Sequence, residues 1–276
     1  MSNRYETVFD KLKQNGGKAF IPYIMLGYPD RQLCLQSIQT MIDAGAHALE
    51  LGLAFSDPLA DGPAIQAASA KTIESGFKTR DALALIAEIR KSNTEIPITL
   101  MCYYNSVLAH GLEKFCLAAK SAGADGLLVV DLPPQEAKPL AEYCKKNQLN
   151  QIFIISPLTT ENRMASISEF AGGFLYVVSR LGITGEEERY DSGLADLISK
   201  AKASTSLPMI VGFGVSSPEQ AEKMFAAGAD GVITGSKIIN MVSDVHAGKC
   251  GLNELKVFVQ SMLAAGLAKV SQPARA

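Results

Sequence analysis

Soft metal ligands are scarce in this sequence and poorly spaced for their usual tasks. Its five cysteines, Cys34, Cys102, Cys116, Cys144 and Cys250, are odd in number and form no C-x-x-C pair, which argues against a disulfide framework and a zinc site. Reduced, mostly buried thiols are expected instead. The three histidines, His47, His110 and His246, have no partner at a ligand-like spacing, so a metal enzyme is disfavoured. Long apolar runs are missing too. None approaches the ~20 residues of a membrane helix, and the opening Met1-Ser2-Asn3-Arg4-Tyr5-Glu6 lacks a signal-peptide core, so a cytosolic chain is expected. Nor is there a block of one charge sign. Net charge is −2 with acids and bases interleaved, which excludes a row of neutralised phosphates and makes nucleic acid an unexpected partner.

What is present is material for a large core. The chain has 276 residues, 47% hydrophobic and 20% charged, as soluble globular domains do. That length suits one barrel or two small domains, and the pattern decides. Short runs rich in β-formers, Ala19–Leu26, Ala46–Gly52, Ile96–Cys102, Gly126–Asp131, Gln151–Ile155, Phe174–Ser179, Met209–Phe213 and Gly231–Gly235, alternate with stretches of helical period. Those stretches lie near 31–44, 63–92, 107–121, 135–147, 160–170, 192–203, 217–227 and 236–246, with extra helices at 3–14 and 252–266. Eight strands each followed by a helix predict an α/β fold, a (βα)8 TIM barrel with additional N-terminal and C-terminal helices. One domain over 1–268 and a disordered tail over 269–276 are expected. Three echoes, Ala44-Gly45-Ala46-His47, Ala122-Gly123-Ala124-Asp125 and Ala227-Gly228-Ala229-Asp230, each join a helix end to a strand and read as one βα unit seen three times.

In such barrels the chemistry collects at the C-terminal ends of the strands. Leu49-Glu50-Leu51-Gly52 sets a carboxylate between leucines at a strand end, where lost solvation should raise its pKa and let it both give and take a proton. The alternative is an outward Glu in an ion pair. The following loop, Phe55-Ser56-Asp57-Pro58-Leu59-Ala60-Asp61-Gly62-Pro63, holds two more carboxylates; Asp61 suits a helix cap as well as catalysis, and Asp57 suits a turn. Glycines after the seventh and eighth strands, Gly212-Phe213-Gly214 and Gly235-Ser236, suggest a backbone phosphate cradle, with Gly182-Ile183-Thr184-Gly185 as a third contributor. The polar stretch 180–192 reads as a lid or as a solvated excursion. Tyr23, Leu100, Tyr103, Tyr176 and Phe213 offer apolar walls for a planar substrate.

These segments closely resemble the tryptophan synthase α family over about Tyr5 to Leu267, the strand-two string from Leu49 to Pro63 most specifically. Pro22-Tyr23-Ile24-Met25 with Gly27, Met101 with Tyr103 and Asn105, and Asp131-Leu132-Pro133-Pro134 support it. The resemblance implies cleavage of indole-3-glycerol phosphate to indole and glyceraldehyde 3-phosphate, with Glu50 as the acid/base and Asp61 holding the indole N–H. It implies phosphate contacts at Gly185, Phe213, Gly214, Gly235 and Ser236, an indole pocket of Tyr23, Leu100 and Tyr176, and Thr184 meeting Asp61. It further implies no cofactor in this chain, and a β subunit partner that carries pyridoxal phosphate in an α2β2 heterotetramer. Ala54 and Ser106 stand where the family usually has proline, which puts loop rigidity and partner contact in question.

Rival chemistries fare worse. A Schiff-base aldolase needs a lysine at a strand end, and the eight predicted ends have none. An isomerase acting on another phosphorylated substrate is the next enzyme reading. A regulatory binding subunit that docks through the Asp57–Asp61 loop is the non-enzymatic one.

Overall fold

The computed structural model describes residues 3–178 and 190–267. Eight parallel strands close into a barrel in sequence order: β1 (Ala19–Met25), β2 (Leu49–Gly52), β3 (Ile98–Cys102), β4 (Gly126–Val129), β5 (Asn150–Ile155), β6 (Ala171–Val177), β7 (Met209–Val211) and β8 (Gly231–Thr234). Around them run helices α1 (Arg4–Gln14), α2 (Arg31–Asp43), α3 (Pro63–Glu74), α4 (Thr79–Ser92), α5 (Tyr104–His110), α6 (Leu112–Ala122), α7 (Lys138–Lys146), α8 (Glu161–Phe170), α9 (Tyr190–Ser204), α10 (Pro218–Ala226), α11 (Ser236–His246) and α12 (Leu252–Ala265). The expected strands, helices and terminal additions are all there. The tail over 269–276 and most of the stretch 180–192, Thr184 and Gly185 included, lie outside the described residues.

Boundaries moved where glycine or proline intervenes. The single helix expected over 63–92 is two, because Gly76 takes φ +79°, a left-handed turn that an L side chain resists. Residues 104–122 break in the same way at Gly111. A 3₁₀ turn at Pro134–Glu136 precedes α7, and β6 begins at Ala171, directly after α8.

The three echoed segments perform one task. Gly45, Gly123 and Gly228 all have φ near +100°, turning the chain from helix to strand. The residue two places on then locks the preceding strand. His47 Nδ1 accepts the Phe20 N–H at 3.1 Å, Asp125 accepts the Ile98 N–H at 2.9 Å, and Asp230 accepts the Met209 N–H at 3.0 Å. Asp125 also pairs with Arg90 and Arg4 at 2.5 Å each, tying α4 and α1 to this end of the barrel. Helix α1 closes that end from within: the Tyr5 hydroxyl meets Thr99 Oγ1 at 2.6 Å, and the rings of Tyr5 and Phe9 pack edge-on against Phe174. The opposite, C-terminal end is left for chemistry.

Strand register fixes which side chains reach that end. Residues paired across parallel strands point to one face, and neighbours along a strand to opposite faces. Tyr23 pairs with Glu50, Glu50 with Thr99, and Gly52 with Met101. Because Thr99 meets the inserted Tyr5, this is the inward set. By the same alternation Leu128, Ile154, Tyr176, Ile210 and Ile233 face inward.

Candidate active site

Glu50 sits inside the barrel wall, 1% exposed, and its Oε1 has no hydrogen-bond partner among the described residues. Burial is the main reason that its pKa rises from 4.5 to about 8, and the nearby Asp61 adds to the rise. At neutral pH this carboxyl group holds its proton. An ion pair, the alternative open at the sequence level, is not what the structure places there.

Asp61 approaches from the loop after β2. It does not cap α3: the cap position is Gly62, and the Asp61 carboxylate instead accepts the Tyr103 O–H at 3.1 Å. Burial raises its pKa to about 6, with the Tyr103 bond pulling the other way. Asp61 is thus ionised where Glu50 is protonated, and two carboxyl groups facing one pocket have been pushed apart in acidity. Tyr103 also accepts the Ala60 N–H at 3.0 Å and stacks on Phe55 at 4.9 Å, so one phenol positions the loop and its carboxylate.

The root of that loop is held more firmly than the missing proline at 54 suggests. Leu53 N–H reaches the Met101 carbonyl at 2.8 Å, Phe55 N–H donates to Ser69 Oγ at 2.9 Å, and Ser69 donates back to the Phe55 carbonyl at 2.8 Å. Ala54 lies between two anchored residues. Asp57 is exposed and takes a bond from Ser56, as a turn residue would, and Leu59 at the tip is 92% exposed.

The remaining walls are partly those expected. Tyr23 is 2% exposed beside Glu50, and Tyr176 is fixed across the barrel by its 2.6 Å bond to the Gly212 carbonyl. Both phenols need glycine ahead of them: a Cβ at Gly52 would overlap the Tyr23 hydroxyl, and one at Gly212 the Tyr176 ring. Leu100 is not brought to the pocket. It pairs with Leu51 and Leu127, on the face turned away from Glu50, and Met101 holds the inward position. Sequence reasoning missed Met101, Leu128, Ile154 and Ile233, which counting in twos from Glu50 and carrying the register across the sheet would have found. Asp131, noted only as part of a motif, accepts the Tyr104 N–H at 2.7 Å and so starts α5 next to Tyr103.

At the ends of β7 and β8 the two helices differ. Ser217 caps α10 by accepting the Gln220 N–H, whereas α11 opens at Gly235 with no side-chain cap. The start of α11 lies beside Gly62, the residue after Asp61: a Cβ there would be 4.0 Å from Ser236 Oγ. Gly214 takes φ +76°, and Phe213 stands 46% exposed at the rim. Among the described residues no cluster of His, Cys, Asp and Glu could hold a metal ion, and no helix is long and apolar enough to cross a membrane.

The model of the family "Tryptophan synthase alpha chain" matches residues 9–266. A tryptophan synthase alpha chain from Francisella tularensis subsp. tularensis is 40% identical over 268 residues, covering 97% of this chain and all of that one. One from Methanothermobacter thermautotrophicus is 43% identical over 234 residues, covering 85% of this chain and 86% of the relative. Among solved structures, the tryptophan synthase subunit alpha of Legionella pneumophila str. Paris superposes with a TM-score of 0.88 at 35% identity, over 96% of this chain and 98% of that one. Sequence and fold agree along nearly the full length: the chain belongs to the tryptophan synthase alpha chain family.

Proposed function

We propose that Glu50 and Asp61 carry out the reaction of this family in this chain, with no cofactor bound to it. That reaction is the retro-aldol cleavage of indole-3-glycerol phosphate to indole and glyceraldehyde 3-phosphate in tryptophan biosynthesis, and the chain is a carbon–carbon lyase. The bond to be broken joins indole C3 to a hydroxyl-bearing carbon, and its electrons can leave only if C3 is first made tetrahedral. Glu50, neutral because it is buried, donates a proton to C3. The ring then carries positive charge at nitrogen. Asp61, ionised and held by Tyr103, accepts the N–H and stabilises that charge. As a carboxylate, Glu50 takes the proton of the side-chain hydroxyl; the carbonyl forms, the C–C electrons return to the ring, and indole is released. Each acid–base role is worth on the order of 10²–10⁴ in rate.

The observation that carries this assignment is the buried glutamate whose Oε1 has no partner among the described residues, beside a carboxylate of lower pKa. The phosphate rests on the backbone at Gly214 and Gly235-Ser236 by this reading, with Phe213 at the rim and Tyr23, Tyr103 and Tyr176 around the ring. Thr184 and Gly185, outside the described residues, complete the contacts in the same reading. The partner is a β subunit that carries pyridoxal phosphate, in an α2β2 assembly in the cytosol; the exposed Leu59 supports the loop after β2 as the docking surface. Indole release from indole-3-glycerol phosphate, followed for the purified chain alone and with a β subunit, tests this. Indole should appear in both, faster with the partner; none in either would overturn the assignment.

A further inference from the structure

At the pocket's reacting end the Tyr23 hydroxyl is a polar group that the reaction leaves unused. It is buried and has no hydrogen-bond partner among the described residues, a destabilising arrangement that phenylalanine would avoid while giving the same ring.

Its position is fixed on both sides by glycines. The ring base lies against β8, where a Cβ at Gly235 would stand 3.4 Å from Tyr23 Cδ1. The hydroxyl end lies over Gly52 on β2, two residues beyond Glu50. Gly235 opens the uncapped α11, the proposed seat of the phosphate, and Glu50 is the proposed proton donor to C3. Tyr23 therefore spans the route that a three-carbon chain must take from phosphate to ring. Burial first, then the charges of Asp61 and Glu50, hold the phenol well above its ordinary pKa, so it stays neutral and can donate.

We propose that Tyr23 is a specificity-determining residue whose hydroxyl hydrogen-bonds a hydroxyl of the substrate's polyol chain, selecting a glycerol phosphate side chain over an alkyl one. This rests on the site assigned above. The test compares two ligands that share ring and phosphate: indole-3-glycerol phosphate and indole-3-propanol phosphate, which has no side-chain hydroxyls. Both are titrated calorimetrically into the Glu50→Gln protein, so that substrate is not consumed, with and without Tyr23→Phe. Removing the hydroxyl should weaken the glycerol compound roughly five- to tenfold and leave the propanol compound within twofold. The unfolding midpoint should not fall, because only an unpartnered oxygen is lost. Equal weakening of both ligands would mean that Tyr23 only shapes the pocket, and no weakening that its hydroxyl is idle; either overturns the proposal. Failure of the propanol compound to bind the Glu50→Gln protein at all would instead overturn the site assignment, and this proposal with it.

Discussion

At neutral pH a carboxyl group in water has lost its proton, and Glu50 keeps one because folding removes its water. Two pH effects should follow. If Glu50 and Asp61 act as proposed, the active form has Asp61 ionised and Glu50 protonated, and kcat/KM should rise through about pH 6 and fall through about pH 8. A profile flat from pH 5 to 9 would contradict those roles. Stability should follow the opposite logic to a salt-bridged carboxylate. Because the folded pKa lies above the unfolded one, the folded chain holds more protons between about 4.5 and 8, and rising pH across that window favours unfolding. The slope from one group reaches at most about 1.4 kcal/mol per pH unit. Glu50→Gln removes it. In urea titrations at pH 5.5 and 8.5 the Gln variant should therefore gain on its parent by up to a few kcal/mol at the higher pH, and parallel curves would mean that Glu50 titrates normally.

The elements show where sequence suffices and where it does not. Strand and helix order was legible because β-rich runs alternate with helical period, and the Ala-Gly-Ala echoes announced repeated units before their shared strand lock was visible. Glu50 stood out as a candidate because carboxylates are rare at strand ends, whereas Asp61, in the loop, read equally as a helix cap until its bond to Tyr103 was seen. Leu100 shows the limit. Strand β3 reads Ile98-Thr99-Leu100-Met101-Cys102, and a strand buried on both faces carries no alternation to separate pocket from helix layer. Only pairing with Glu50 and Gly52 decides that Met101 faces in. Helix breaks at Gly76 and Gly111 were missed because a glycine inside a helical period is read as tolerated until its φ is known. Ser69 was invisible for another reason: its partner Phe55 is 14 residues away on the loop. Ser69→Ala removes two bonds from the root of that loop and should cost about 1–3 kcal/mol. Activity of the isolated chain should drop more than that of the β complex, and Ala54→Pro should raise the isolated activity more than the complex's. Titrating both variants with β subunit while following indole checks this; identical responses in both states would detach the loop from catalysis.

At the scale of the whole molecule, the barrel separates its tasks by end. The N-terminal end is sealed by Tyr5, Phe9 and the Asp125 ion pairs, and the C-terminal end carries two carboxyl groups of different acidity and an exposed apolar loop tip. If that tip docks on a β subunit, closing the Asp61 loop links the two sites, and the link must be reciprocal. Indole-3-propanol phosphate should tighten β association by the same factor that the β subunit tightens the analogue, and unequal factors would rule out a simple two-state loop. All of this depends on one proton at Glu50. The most direct measurement is single-turnover indole release from indole-3-glycerol phosphate by parent and Glu50→Gln proteins, each first shown to bind the propanol analogue. Analogue affinities should agree within twofold, and cleavage should fall by at least about 10²-fold in the variant. A folded, analogue-binding Glu50→Gln protein that cleaves at near the parental rate would contradict the role given to Glu50.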